Sequence, residues 1–303
     1  MAARQNTLSG LELNKTSLCY TRCIPEDKLI ANICIQPLDT GEGNYWEAVS
    51  AGFSAFISEM NIPGEKIVVS LGGEYAIIKK IKIDMDEQEV NEAIEWELSQ
   101  QIIGSIKEYV YDYQFINNDP TGDYQNFLVA GYREVTVDRV GKLLKLKRLN
   151  PIIIDIDIFA LINVFEINYS DKINIPSVII FSELTSSKII LTVNGSFVDF
   201  EIFDHNDDMM NPDVFIKKLN DTMNFLFSYN QEFSNNEIVN KYLSGSFFSQ
   251  VEFTNRVLND IPNTEVLYPF RSVSCSAGMD DEKLREFSPQ LAVSVGLTLR
   301  DIK

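Results

Sequence analysis

Few residues in this chain are of a type and spacing that could do chemistry. Seven carboxylates crowd residues 84–97 (Asp84, Asp86, Glu87, Glu89, Glu92, Glu95 and Glu97). A cluster of this kind could serve acid–base chemistry or hold Ca²⁺. A Ca²⁺ loop, however, needs Asp-x-Asp-x-Asp-Gly spacing so that oxygens converge on one point, and that spacing is absent. A solvated helix face is the expected reading. Cys19 and Cys23 are four apart, which on a strand puts two small thiols on one face, where burial is the norm. The single histidine, His205, lies in an acidic loop far from them, so neither a metal site nor a Ser–His or Cys–His nucleophile is expected. Tyr109, Tyr111, Tyr113 and Phe115 alternate as one face of a strand would, which predicts packing against a sheet neighbour.

Bulk composition excludes several functions. With 45% apolar and 23% charged residues, the 303-residue chain has the make-up of a globular protein large enough for one big domain or two ordinary ones. A net charge of −18 argues against nucleic acid and against anionic lipid, since both need clustered Lys and Arg. Residues 1–10 have no apolar core and do not read as a signal peptide. The apolar run 151–164 is short and broken by Asp155 and Asp157, so no direct membrane insertion is expected. A cytoplasmic, reduced, metal-free protein follows as the expectation.

The best-signalled element is a helix inside residues 66–116. Val90, Ile94, Leu98 and Ile102 lay one apolar stripe along it, and Asp86 three residues before Glu89 predicts a capping-box start. Two strands precede this helix across a Gly-Gly turn, and the tyrosine strand follows. Upstream, residues 10–38 read as three short strands, and Trp46, Val49, Phe53, Phe56, Ile57 and Met60 recur at helical spacing up to a stop at residues 61–64. Downstream come a strand at 126–130, a helix around 137–146, a strand at 152–156 and a helix at 159–165. The second half repeats this arrangement. An apolar strand at 178–181 is followed by a hairpin across Asn194-Gly195, a strong type I′ signal. A long helix carries Phe215, Leu219, Met223, Leu226 and Phe227, and shorter strands and helices alternate to residue 299. The pattern is a two-lobed α/β protein with a small α+β unit inserted in the first half.

The order VVSLGG, IKKIKIDMDEQEVNEAIEWELSQQI, VYDYQFI resembles the inserted subdomain of the PilM family, actin-fold cytoplasmic components of type IV pilus assembly related to FtsA. NFLVAGYREVTVDRVGKLLKLKRLNPIIIDIDIFAL, LSGSFFSQVEFTNRVLNDIPNTEVLYPF and SPQLAVSVGLTLR are similar to later family segments in the same order. The resemblance implies an actin-like (ribonuclease H-like) fold. Residues 1–75 plus 151–172 would form the first lobe, 76–150 the inserted subdomain and 173–303 the second lobe.

Actin-like ATPases hold phosphates on two Asp-x-Gly hairpin turns and face adenosine with a Gly-Gly turn. The resemblance places the first turn at Gly10, Glu12, Asn14, Lys15 and Thr16, with Glu for Asp and Asn, a residue tolerant of positive φ, for Gly. The second falls at Ser182, Glu183 and Thr185, with Leu184 where Gly is expected. The third keeps Gly245 but continues Ser246-Phe247-Phe248. Loss of the second Asp and of the turn glycines removes Mg²⁺ positioning and close backbone approach together. A cleft without hydrolysis is therefore expected, with no catalytic residues and no cofactor; ATP, if bound, would not be turned over.

The family resemblance implies a scaffold of a type IV pilus or type II secretion-like platform. It would take up the cytosolic tail of a bitopic, PilN-like inner-membrane protein near the inserted subdomain, and Trp96 is the residue singled out there. Self-association into a ring belongs to the same expectation. The alternatives are an active actin-like ATPase and an FtsA-like filament protein; the latter needs an amphipathic tether that residues up to Lys303 do not supply.

Overall fold

The computed structural model describes residues 7–39, 44–60, 66–119, 121–235, 238–277 and 279–300. The expected helix stop at residues 61–64 and most of the polar stretch 1–10 lie outside them. The chain forms two compact units, one of residues 1–71 with 147–303, the other of residues 72–146.

The larger unit holds two sheets of duplicated topology. In the first, β1 (Leu8–Leu13), β2 (Ser17–Ile24) and β3 (Leu29–Pro37) form an antiparallel meander, and α1 (Tyr45–Met60) crosses over to β4 (Lys66–Leu71), which runs parallel to β1. In the second, β9 (Ser177–Ser182), β10 (Ser186–Val193) and β11 (Ser196–Asp204) repeat that meander. There α5 (Pro212–Tyr229) and the short α6 (Gln231–Ser234) cross over to β12 (Asn240–Ser244), parallel to β9. Each sheet then gains one more parallel strand, β8 (Asn150–Ile156) beside β4 and β13 (Thr264–Val266) beside β12 after α7 (Val251–Asp260). The Asn194-Gly195 turn has positive φ at both positions (52° and 72°), the type I′ geometry its sequence predicts.

The first sheet also recruits β14 (Ser274–Cys275) beside β3, far along the chain and too short to be seen as a strand in the sequence. Two helices then fill the space between the sheets. α4 (Asp157–Asn168) follows β8, and α8 (Asp281–Thr298) packs against α4 and against β1, β2, β4 and β12. These contacts are close. A Cβ on Gly10 would stand 2.1 Å from the Ser294 carbonyl oxygen, and one on Gly296 would stand 1.9 Å from that of Ala160. Only a missing side chain allows either approach.

In the smaller unit, β5 (Ala76–Asp84), α2 (Val90–Gln101), β6 (Tyr109–Asn118), β7 (Tyr124–Arg133) and α3 (Glu134–Leu146) follow in order. The strands make an antiparallel sheet with β7 in the centre. Ile94 and Leu98 of α2 are fully buried against Ile81, Ile83, Phe127 and Val129, with Val90 and Ile102 at the margins, so the predicted stripe is the core. The capping box is not formed. Met85 N–H donates to the Asp123 carbonyl and Glu87 N–H to that of Asp84, which holds Asp86 in the turn after β5 and delays the helix to Val90. The tyrosine strand packs on its sheet neighbour as expected, with Tyr111 against the small core and Tyr113 and Phe115 against Phe127 of β7, although its far end stays partly exposed. β6 is a sheet edge, and Tyr113 and Phe115 are 37% and 48% exposed, touching Phe127 edge-on.

Because Leu98 is wholly enclosed by this small core, Leu98→Ala is expected to destabilise the 72–146 unit by roughly 2–5 kcal/mol. Denaturant unfolding followed by tryptophan fluorescence, with Trp96 in the same unit, would measure it.

Candidate functional site

Three turns at the ends of β1, β9 and β12 carry the residues that the sequence marks as a degenerate nucleotide cleft. In the first turn Asn14 has no positive φ and does not imitate glycine. Its side chain acts instead: Asn14 Oδ1 accepts hydrogen bonds from the backbone N–H of Thr16 (2.9 Å) and of Ser17 (2.6 Å) and from both hydroxyls. These turn amides are what an anion would need, and a neutral side chain already occupies them. Lys15 and Thr16 are half-buried on the turn. Gly10 stands two residues before Glu12 inside β1, and its lack of a side chain serves the packing of α8, as described above.

In the second turn Glu183 is buried, and its carboxylate accepts hydrogen bonds from Ser246 N–H (2.9 Å) and Ser246 Oγ (2.5 Å). The second and third turns are thus bonded to each other. Gly245 sits at φ 101°, where a Cβ would lie 2.2 Å from the Ser182 carbonyl oxygen, so this glycine lets two backbones meet. Its N–H donates to the Pro289 carbonyl in α8 (2.7 Å). Phe247 and Phe248 are buried in the second-lobe core with Phe215 and Phe253. Thr185 is exposed, and its carbonyl receives the His205 N–H.

His205, which stands in no catalytic motif of the sequence, takes part in a hydrogen-bond chain. Its Nε2 bonds Ser187 Oγ (2.8 Å), which bonds Ser182 Oγ (2.7 Å). Both serines are fully buried, and the ring lies against Phe247 with centroids 4.8 Å apart. Burial lowers the imidazole pKa and keeps it neutral. This is a hydrogen-bond chain that ends on two buried serines.

The sequence did not mark the charged pair at the centre. Asp157, opening α4, and Lys188, on β10, are only 3% and 4% exposed and form an ion pair; Asp157 Oδ1 also accepts the Ile158 N–H. The available signal was one charge of each sign interrupting two apolar runs, but nothing local ties residue 157 to 188. Glu12 is also buried. Neither of its carboxylate oxygens has a hydrogen bond of ordinary geometry, although the Asn14 amide and the Lys188 charge both favour its ionised form. Burial dominates and raises its pKa well above the ordinary 4.5, with the charges of Glu183 and Asp157 adding to the rise. Glu183 is raised by burial too, and the Ser246 bonds oppose this. Glu12, Asp157, Glu183 and Lys188 therefore form one electrostatic cluster. No group of three or more possible ligands among the described residues is arranged to hold a metal ion.

Trp96 lies on α2 of the other unit, 62% exposed, with Ile103 beyond the helix end 85% exposed.

The type IV pilus assembly protein PilM family matches residues 30–182, half of the chain. The chain belongs to the PilM family. Across its full length it is similar to a chain of the PilM–PilN type IV pilus biogenesis complex, with TM-score 0.74 at 18% identity over 98% of each chain. It is also similar to the cytoplasmic domain of EpsL, an inner membrane component of the type II secretion system of Vibrio cholerae (TM-score 0.51, 9% identity, 92% and 94% of the chains). A Bacteroides thetaiotaomicron protein with an actin-like ATPase fold gives TM-score 0.52 at 11% identity over 93% and 95%. None of the curated proteins matches. These similarities establish the actin-like fold, and the duplicated sheets are the two lobes that a PilM protein shares with it. No helix among the described residues is long and apolar enough to cross a membrane.

The raised pKa of Glu12 has a defined sign in stability. The native state holds this proton more firmly than the unfolded chain. Stability therefore falls as pH climbs above the ordinary 4.5 and goes on falling until the folded value is passed. Glu12→Gln removes the penalty. Its melting temperature is expected to exceed the parent's at about pH 8, with the gap narrowing toward about pH 5. A gap independent of pH would assign the effect to packing alone.

Proposed function

We propose that this PilM-family protein is a non-enzymatic adaptor of a type IV pilus, or of a type II secretion-like assembly platform. It binds the cytosolic tail of a PilN-like inner-membrane protein and sits at the inner face of that membrane through this contact. The observation that carries the non-enzymatic part is the self-satisfied cleft. Asn14 holds the first turn's amides, and Glu183 is bonded to Ser246 where a metal-positioning carboxylate would have to face substrate. Chemistry at a γ-phosphate needs preorganised N–H donors and a carboxylate-held Mg²⁺. Here the turn amides and Glu183 are engaged with the protein itself, and Glu12 is buried.

Family membership and the full-length likeness to a chain of the PilM–PilN complex support the adaptor part. The exposed Trp96 is the aromatic anchor we assign to tail recognition, since large aromatic side chains carry a disproportionate share of binding energy. Assembly into a ring on the same platform belongs to this reading. An active ATPase is the competing one, because actin-like folds host such chemistry. An FtsA-like filament is the third.

Two experiments separate these readings. The purified protein is expected to show no Mg²⁺-dependent ATP hydrolysis above a heat-killed control; turnover abolished by Glu12→Ala would install the ATPase reading in its place. A peptide of roughly ten to fifteen residues from the tail of a PilN-like neighbour is expected to bind with micromolar affinity, as suits a small extended ligand. Trp96→Ala is expected to weaken it about tenfold, measured by calorimetry. If neither the peptide nor the complete tail binds, the adaptor reading fails.

A further inference from the structure

A cavity of about 450 Å³ opens where α4 ends, and no function described above makes use of it. Asn163, Glu166, Ile167 and Ser170 line one side, at the spacing of one helix face continued just past the end of α4. Ile173, Leu299 and Arg300 line the rest. The volume falls within the roughly 300–1,000 Å³ of small-ligand sites. The β10–β11 turn backs the walls. A Cβ on Gly195 would stand 2.7 Å from Ile173 Cδ1 and 3.3 Å from Glu166 Cγ.

The charges around this cavity differ in their partners. Arg300 is ion-paired with the buried Asp155, Arg271 with Asp171, and Lys172 with Glu265. Glu166 has no ion pair among the described residues, and the Asn163 amide and Ser170 hydroxyl make no side-chain hydrogen bond among them. The cavity also lies at the carbonyl end of α4, which favours positive charge. Three open acceptors beside an apolar floor of Ile167, Ile173 and Leu299 suit one kind of ligand. An ammonium has three N–H donors for those acceptors, and an aliphatic stem can lie along the floor. A quaternary ammonium calls for an aromatic cage, which this lining does not offer. An anion would meet Glu166 and find Arg300 already engaged.

We propose that this cavity binds a primary ammonium group carried on an aliphatic stem, with Glu166 as its counter-charge. A free alkylamine and a lysine side chain both present that chemistry. The site is independent of the adaptor reading, which places tail recognition at Trp96 in the other unit.

The probe is hexylamine, protonated at about pH 7, offered to the full chain with its isoleucine methyl groups labelled for NMR. Saturable binding is expected with a Kd of about 1 mM, as suits so small a ligand, and with the largest shifts at Ile167 and Ile173. Glu166→Gln keeps the shape and removes the charge, so it is expected to weaken binding about fivefold. Ile173→Trp fills the cavity and is expected to abolish binding. If that variant loses its fold by circular dichroism, Ser170→Phe, at an exposed position, decides in its place. Hexanoate and tetramethylammonium are each expected to bind at least about fivefold more weakly than hexylamine. Nα-acetyl-lysine amide separates the two sources. Affinity within about threefold of hexylamine assigns the site to a protein's lysine, and weaker affinity assigns it to a free amine. Absence of saturable binding, shifts centred elsewhere, unchanged affinity in Glu166→Gln or in the cavity-filling variant, or equal binding of hexanoate or tetramethylammonium would each overturn the proposal.

Discussion

The larger unit depends on how closely helix α8 approaches its neighbours. Backbone meets backbone at Gly10 and Ser294, and again at Gly296 and Ala160, with a buried Thr21–Ser294 hydroxyl contact (2.8 Å) between them. Close-packed interiors tolerate little change in volume, so a methyl group at either glycine would push α8 off β1 or off α4. α8 also fixes the turns, since the Pro289 carbonyl receives both Gly245 N–H and Ser244 Oγ. Helix position and cleft shape are therefore one constraint.

Within the cleft the polar groups other than Glu12 are paired within the protein. The Asp157–Lys188 pair is enclosed, Glu183 is bonded to Ser246 and Asn14 to its own turn. Burying one ammonium among three carboxylates is costly unless some of the negative charge is removed, and the raised pKa values of Glu12 and Glu183 act in that direction. Breaking the pair from one side leaves a bare buried charge, typically worth about 3–5 kcal/mol.

Much of the fold was legible because its signals are local. The stripe from Val90 to Ile102 and the Asn194-Gly195 turn each specify an element within a few residues, and the repeated meanders predicted two lobes. What was not legible is set by distant partners. The start of α2 moved because Asp123 holds Met85, and β14 exists only because β3 offers it an edge. In the cleft, the positions of Glu12, Glu183 and Gly245 could be read from the resemblance, but their partners could not. Asn14 works through its side chain rather than its backbone, and Asp157 with Lys188 are joined across 31 residues that carry no shared pattern. The partial exposure of the far end of β6 was hidden for a similar reason. Alternating aromatics look alike on a covered face and on an open edge, and only the strand order distinguishes them.

Helix α8 follows in the chain every strand that it packs against, from β1 through β12. On a translating ribosome the first sheet's inner surface is thus made long before the helix that covers it. Residues 8–71 must wait for residues 281–298 to emerge, with apolar strands exposed in the interval. The 72–146 unit has its own core and completes it within one short span of synthesis. By chain order, then, every element of the small unit is made before the larger body can be closed by its last helix.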